Sequence, residues 1–207
     1  MGTRAGARTD LLLILPSLGA ACGAPVKQAG GGAGAMITPS KIEAPSAVTL
    51  QMACTPTGPE LCFNAVDDNC NGVIDEGCGV GTGLLQFTIA WSEAAADVDL
   101  SVTDPGGNPV NAQRRTAPSG LRLDRDCPGA ASASESCGGQ NTENIFFEGM
   151  EPPRGRYLVD VRLVDPHGAQ TPIVVHFGAR IGSRTYAADV PLSPGDALDR
   201  KTFKFEL

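Results

Sequence analysis

Four cysteines spaced eight residues apart constrain this chain more than any other feature. Cys54, Cys62, Cys70 and Cys78 divide a segment that also carries five acidic residues and no Lys or Arg. A segment with so few aliphatic side chains cannot offset its ordering entropy by apolar burial. It must therefore be ordered by cross-links, by a metal ion or by both.

Within this segment, the run DDNCNGVIDEGC has the spacing of a calcium-binding loop. Asp67 takes position 1, and Gly72 takes the sharp turn at position 6. Oxygens at alternate positions favour a hard cation. Position 12, where a Glu closes a helix-loop-helix site, is Cys78, so an acid earlier in the loop must close this one. The predicted ligands are Asp67, Asn69, Asn71, the carbonyl of Val73, Asp75 and Glu76.

The succession E-x-C-x-N-x-x-D-D-N-C-N-G-x-I-D-E-G-C, from Glu60 to Cys78, resembles a short metal-binding motif of secreted and surface bacterial proteins. The resemblance implies that the loop binds a metal. Two alternatives are an Asx-rich turn without an ion and a zinc site made of the four cysteines. Five acids packed without a cation would repel one another, and structural zinc ligands usually come as close C-x₂₋₄-C pairs, so calcium is favoured.

The N-terminus has the form of an export signal. Arg4 and Arg8 precede a short apolar run at residues 11–15, and small residues lead to Cys22. The ending resembles a bacterial lipobox, in which the cysteine is lipidated. Seven cysteines leave one over in an oxidising compartment, whereas lipidation of Cys22 leaves six to pair. The expected location is the cell envelope, as an outer-membrane lipoprotein or at the cell surface; plain secretion after cleavage near Ala21 is the alternative.

The chain is predicted to divide into four parts. These are a signal peptide at 1–21, a flexible tether at 22–50, a Cys-rich loop at 51–80 and a strand-rich domain at 83–207. The net charge is -7. Because phosphate contacts need clustered Lys and Arg, nucleic acid is not an expected partner. The expected partners are the membrane, through the N-terminal lipid, and an unknown protein or glycan.

From residue 84 onward, apolar and polar residues alternate in short runs separated by turn signals such as DPGGN, PPRG, DPHG and SPGD. No amphipathic helix is indicated. The predicted fold class is all-β, an antiparallel β-sandwich of jelly-roll or Ig-like type. The eight predicted strands span residues 84–91, 97–102, 121–124, 144–148, 156–164, 171–179, 183–190 and 201–207.

An ordered set of motifs in residues 84 to 165 carries a second resemblance. It runs from an apolar segment ending at Trp91 through DVDLSVTDPGG, SGLRLDRD and TENI to RGRYLVDV. This succession resembles the YfaP-like family of extracellular bacterial β-sandwich domains. The resemblance implies a β-sandwich and no particular activity, since the family's role is largely undefined.

The chain departs from that family between Asp126 and Glu143, where a short loop is lengthened and two cysteines bracket the insertion. A disulfide between them would order a loop rich in Ser, Ala and Gly. The four upstream cysteines are expected to pair among themselves, with Cys70 joined to one of the other three. The expected disulfide cysteines are Cys54, Cys62, Cys70, Cys78, Cys127 and Cys137.

Acidic residues in the strands suggest a candidate second calcium site. Asp97 and Asp99 lie two apart, hence on one face of a strand, and so do Asp124 and Asp126. If neighbouring strands bring these together with Glu143, their oxygens would converge on a cation. The alternative is that they are solubilising edge charges and turn caps.

The sequence carries no catalytic motif. G-x-S-x-G, H-E-x-x-H and a phosphate-cradling glycine loop are all missing, so neither an enzyme nor a nucleotide site is expected. His167, in a turn, and His176, which alternates away from apolar neighbours, are expected to face solvent. The expected function is a calcium-stabilised binding or structural module; the alternatives are a copper-sequestering surface protein and an accessory domain of an extracellular enzyme system.

Overall fold

Ten β-strands form in the described part of the chain, where no residue is helical. The computed structural model describes residue 2 and residues 37–52, 54–128, 137–195 and 199–207. The strands are β1 (Lys41–Glu43), β2 (Leu85–Trp91), β3 (Asp97–Thr103), β4 (Pro109–Val110), β5 (Leu121–Cys127), β6 (Thr142–Phe147), β7 (Arg156–Asp165), β8 (Ile173–Ile181), β9 (Arg184–Leu192) and β10 (Arg200–Glu206).

The strands form two five-stranded antiparallel sheets that pack face to face as a β-sandwich. The first sheet has the order β1-β10-β7-β3-β4, and the second has the order β5-β6-β2-β8-β9. The predicted all-β antiparallel sandwich is confirmed, and each of the eight predicted strands is found. The sequence missed β1 and β4 because three and two residues are too short for alternation to be read.

Aromatic side chains tie the two sheets together. Phe177 of β8 stacks on Phe203 of β10, with ring centroids 4.2 Å apart. Tyr157 is fully buried, and its hydroxyl donates a hydrogen bond to the Pro153 carbonyl at 2.7 Å. Burying each ring contributes roughly 2 to 3 kcal/mol. The core is therefore formed by the inward residues of both sheets.

Residues 37–52 lie against the sandwich, whereas the sequence placed a flexible tether up to residue 50. In this segment β1 pairs antiparallel with β10, and Val48 joins the core. Gln51 exchanges two backbone hydrogen bonds with Ala187 of β9, at 2.8 and 2.9 Å. Isolated apolar residues such as Val48 give no periodic signal, so the sequence did not indicate these contacts. The predicted signal peptide and Cys22 lie outside the described residues.

A disulfide joins Cys127, at the end of β5, to Cys137, before β6. This pairing confirms the cross-link predicted to close the insertion. Residues 129–136 lie outside the described residues. Because β5 and β6 are neighbours in the second sheet, the bond fixes the connection at the point where it leaves and re-enters that sheet.

Candidate metal site

The Cys-rich loop lies on the outer face of the second sheet. Thr185 Oγ1 of β9 donates a hydrogen bond to Asp67 Oδ2 at 3.0 Å, and Gln86 Nε2 of β2 donates to the Ile74 carbonyl at 3.1 Å. Ile74 itself is fully buried. By its contacts, Ala35–Leu207 forms one compact unit. The segments predicted as two modules, 51–80 and 83–207, are thus joined by packing and hydrogen bonds rather than by a disulfide.

A glycine in β8 allows the loop to approach the sheet. A Cβ atom on Gly178 would lie 2.2 Å from the Ala65 carbonyl oxygen and 3.1 Å from Ile74 Cδ1. Gly178 is an outward position of β8, opposite Ala187 of β9. The backbone of the loop therefore occupies the space that a side chain would fill at this position.

Polar residues on the outer face of β2 and β6 are buried because the loop covers them. Asn144 Oδ1 accepts hydrogen bonds from Thr88 Oγ1 at 2.6 Å and from Gln86 Nε2 at 3.0 Å. Its amide nitrogen donates to the Gly81 carbonyl at 2.8 Å and to Asp124 Oδ1 at 2.6 Å. Asp124 also accepts a hydrogen bond from the Gly81 backbone N–H. This network holds the end of the loop segment on the sheet.

Two overlapping disulfides close the loop. Cys54 is bonded to Cys70, and Cys62 is bonded to Cys78, so that each bond spans 16 positions. The prediction that these four cysteines pair among themselves is confirmed, and the partner left open for Cys70 is Cys54. Cross-links of this length constrain the unfolded chain by about 3 kcal/mol each. Ordering of the loop thus comes from covalent bonds and from the sheet beneath it.

Asp67, the predicted position-1 ligand, organises the turn that follows it. Its Oδ1 accepts a hydrogen bond from the Asn71 N–H, and its Oδ2 accepts one from the Gly72 N–H, both at 3.0 Å. Gly72 has φ of +86°, as expected for the sharp turn at position 6. The side-chain oxygens of Asn69 and Asn71 accept hydrogen bonds from the N–H groups of Asn71 and Val73. The predicted loop geometry around Gly72 is therefore present.

Asp75, a predicted ligand, is directed toward a different turn. Its carboxylate is fully buried and accepts hydrogen bonds from the N–H groups of Phe63, Asn64 and Ala65, at 2.6, 3.3 and 3.2 Å. Phe63 and Ala65 have positive φ, so this turn needs an acceptor to hold it. Burial raises the pKa of Asp75. Its role in the structure is to fix the 63–65 turn.

Glu60 and Glu76 contribute two buried oxygens without a donor. Asn69 Nδ2 donates to Glu76 Oε1 at 2.6 Å, Asn71 Nδ2 donates to the same atom, and the Asp75 N–H donates to Glu60 Oε1 at 2.8 Å. Within the described ranges, Glu60 Oε2 and Glu76 Oε2 are buried and accept no hydrogen bond. Burial and the neighbouring Glu76 charge raise the pKa of Glu60. Burial also acts to raise the pKa of Glu76, but the hydrogen bonds outweigh it and leave that pKa below its usual value.

Glu60 was not among the predicted ligands, although it opens the metal-binding motif that the loop resembles. No three His, Cys, Asp or Glu side chains in the described segments are grouped so as to hold an ion by themselves. Any ion at this loop would also need amide and carbonyl oxygens. Asn69, Asn71 and the Val73 carbonyl are the predicted sources of them, so the set fits a hard cation and not a soft one.

Four of the five candidate residues of the second calcium site lie near one another. After burial, the charges of Asp99 and Asp126 raise the pKa of both Asp97 and Glu143. Asp124 lies under the loop, as described above, on the outer face of the second sheet. Asp99 pairs with Arg162 at 2.7 Å, and Asp126 pairs with Arg115 at 3.3 Å. Arg162 and Arg115 thus supply to Asp99 and Asp126 the positive charge that the predicted metal ion would have supplied. Asp124 is not part of this group, and in the described residues the other four do not form a cluster of acids that could hold an ion by themselves.

Glu143 instead bridges the two sheets. Its Oε2 accepts a hydrogen bond from the Leu100 N–H of β3 at 2.7 Å. β4 pairs with β3 only at Val102 and Thr103, so the Leu100 N–H lies beyond the end of β4. Glu143 is fully buried and stands opposite Asp126 in the β5–β6 register. Burial, followed by the charge of Asp126, raises the pKa of Glu143 well above its ordinary value. Burial and Asp99 also raise the pKa of Asp97.

The two histidines face solvent, as predicted. The side chains of His167 and His176 are 58% and 51% exposed. His176 Nδ1 lies 2.8 Å from Asp189 Oδ1, its direct cross-strand neighbour. In the residues that the structure describes, neither histidine belongs to a metal-ligating group.

Comparison with known proteins gave no match to a protein-family model, to a curated protein or to a solved structure. Among the described residues, no helix has the length and apolarity needed to cross a membrane. The three disulfides indicate an oxidising, extracellular environment.

Proposed function

We propose that the protein is an exported, lipid-anchored cell-surface module in which calcium stabilises the Cys-rich loop and the β-sandwich binds or supports an extracellular partner. The observation that carries the calcium assignment is the pair of buried, donorless oxygens, Glu60 Oε2 and Glu76 Oε2. Two neighbouring carboxylates that each keep one buried oxygen without a hydrogen-bond donor are costly unless a cation neutralises them.

The proposed ligands are a revised set of the predicted residues. Glu60 joins Asp67, Asn69, Asn71, the Val73 carbonyl and Glu76. Asp75 is assigned to the adjacent turn because its fully buried carboxylate is directed toward the N–H groups of residues 63–65. Calcium accepts six to eight oxygen ligands and tolerates irregular geometry, which suits a loop closed by disulfides. Bound at this loop, the ion would neutralise Asp67 and Glu76, whose charges also act on Arg180 of β8.

The disulfides argue against the copper-sequestering alternative. All six cysteines of the described residues are paired, so they offer no thiolate to a soft metal ion. Neither an enzyme nor an accessory domain of one is favoured by any observation, and we retain the non-enzymatic assignment.

Calcium is expected to stabilise the wild-type protein and to leave the double variant Glu60→Gln/Glu76→Gln unaffected. Glutamine keeps the shape and the accepted hydrogen bonds but removes the charge that attracts the ion. At a hundredfold excess over Kd, binding should raise the free energy of unfolding by about 2.7 kcal/mol. Thermal unfolding with calcium and with chelator, together with calorimetric titration, measures this.

Glu206→Gln is the matched control, since it removes an acid of β10, in the sheet that the loop does not cover. It should respond to calcium like the wild type. An equal response of the wild type and the double variant would contradict the proposed site.

Lipid anchoring predicts that the mature protein partitions into a detergent phase. The Cys22→Ser variant should remain in the aqueous phase, because it lacks the thiol to which the lipid would be attached. Phase separation of envelope fractions, with mass spectrometry of the N-terminal peptide, measures this. Recovery of unmodified wild type in the medium would contradict anchoring.

A further inference from the structure

The outer face of the first sheet carries a polar cleft that the calcium site does not use. It has a volume of about 120 Å³ and lies across β3, β7 and β10. Its lining includes Asp99, Ser101, Gln113, Asp160, Arg162 and Arg200. The Cys-rich loop covers the second sheet, so this cleft is on the opposite side of the sandwich.

Two arginines stand side by side in the cleft. Arg162 of β7 and Arg200 of β10 are direct cross-strand partners. Like charges at directly opposed positions destabilise a sheet unless something neutralises them. Asp99 pairs with Arg162 at 2.7 Å. The side chain of Arg200 makes no hydrogen bond or ion pair within the described ranges. The cleft therefore presents one guanidinium fork to an anion.

The rest of the lining is rich in hydrogen-bonding groups and carries no aromatic or aliphatic side chain. Asp160 already accepts a hydrogen bond from Thr202 Oγ1 at 2.5 Å and has a further oxygen to offer. Ser101 and Gln113 add a hydroxyl and an amide. Such a set matches a ligand with several hydroxyl groups, because carboxylates and amides bind vicinal hydroxyls through paired hydrogen bonds.

We infer that this cleft binds a uronic acid residue of an acidic polysaccharide, whose carboxylate pairs with Arg200 and whose hydroxyls bond Asp160, Ser101 and Gln113. Arginine is the residue suited to bidentate recognition of a carboxylate. A neutral sugar would leave Arg200 unpaired. A phosphate or sulfate would be repelled by the carboxylates of Asp99 and Asp160. The inference rests on the proposed role as an extracellular binding module and names its ligand class.

The test is binding of short galacturonate oligomers to the full chain at one fixed calcium concentration. We expect the fully methyl-esterified oligomer, in which each carboxylate is replaced by an uncharged methyl ester, to bind at least tenfold more weakly. Arg200→Ala should lose at least tenfold in affinity for the acidic oligomer. Arg184→Ala, at the exposed β8–β9 turn on the other sheet, should bind like the wild type. Calorimetry and chemical-shift changes at Ser101 and Asp160 report binding.

Absence of binding, equal binding of the esterified oligomer, or an unchanged affinity in Arg200→Ala would each overturn the inference. Displacement of the oligomer by equimolar inorganic sulfate would also overturn it, because it would identify a general anion site. The calcium-dependent shift in thermal unfolding is measured on the same samples. A normal shift without oligomer binding rejects the sugar cleft alone, whereas oligomer binding without a shift rejects the calcium site alone.

Discussion

Replacing Gly178 with valine is expected to release the Cys-rich loop from the sandwich. The new side chain would meet the Ala65 carbonyl, which lies 2.2 Å from the position of the Cβ atom. The strand is held by its neighbours and the loop by its disulfides, so neither can shift locally to relieve this clash. Overpacking of this kind lowers the free energy of unfolding by about 1 to 3 kcal/mol. Undocking would also expose Gln86, Thr88 and Asn144 to water.

Hydrogen exchange measures this release directly. Amides in residues 63–75 and in β2 should exchange faster in Gly178→Val, while those in β7 and β10 should keep their protection. Gly195→Val is the matched control, because among the described residues a Cβ at Gly195 meets only the Ser193 carbonyl oxygen, at 3.9 Å. Identical exchange in the two variants would show that the loop is not held by close contact with β8.

Glu143→Gln is expected to stabilise the protein at pH 8 and to flatten the dependence of its stability on pH. The folded state raises the pKa of Glu143, so between the ordinary pKa and the folded pKa the native protein binds a proton that the unfolded chain has released. Wild-type stability must therefore fall as pH rises through that interval. Glutamine keeps the oxygen that accepts from the Leu100 N–H and carries no charge to bury.

The groups around Glu143 decide the size of the effect. Asp126 and Asp99 add negative charge, Arg115 and Arg162 partly neutralise these two acids, and Asp97 lies on the same strand as Asp99. Removing a buried charge often raises the free energy of unfolding. We therefore expect Glu143→Gln to be about 1 kcal/mol more stable than the wild type at pH 8.

Urea unfolding at intervals from pH 5 to pH 8 measures the difference between wild type and Glu143→Gln. Glu148→Gln is the control, because Glu148 is 68% exposed and pairs with Arg122 at the surface. Parallel stability curves for wild type and Glu143→Gln would contradict the expectation.

Period-two alternation predicted the strands well because burial in a sandwich alternates residue by residue. β7 shows this directly, with Tyr157, Val159, Val161 and Leu163 buried and the residues between them more exposed. The grouping of the disulfides was likewise predictable, since Cys127 and Cys137 are close in sequence and the other four share a segment without a core.

Docking of the loop was not predictable from the sequence. Gln86, Thr88 and Asn144 are polar residues at outward positions, a pattern that is the same whether water or a loop covers them. Their complete burial depends on the glycine at 178, which lets the loop approach the sheet. In a sequence, a glycine that allows such an approach looks the same as one that merely weakens a strand.

The roles of the individual acids were only partly predictable. Spacing placed Asp67 correctly at the start of the turn around Gly72. It did not assign Asp75 to the 63–65 turn, because positive φ at Phe63 and Ala65 has no signal when the residues are not glycine. Nor could it pair Asp99 with Arg162, since these residues are 63 positions apart.

Pairing of β1 with β10 sets the order in which the molecule can fold. Lys204 bonds to Glu43 across 161 positions, and β10 lies between β1 and β7 in the first sheet. All strands of the second sheet have been synthesised once the ribosome passes Leu192. Until β10 is also synthesised, β1 cannot pair and the core lacks Phe203 and Phe205. Contacts so distant in sequence form slowly. We therefore expect the sandwich to close only when its last strand is available, and until then the incomplete chain is easier to thread through a translocation pore than the folded domain.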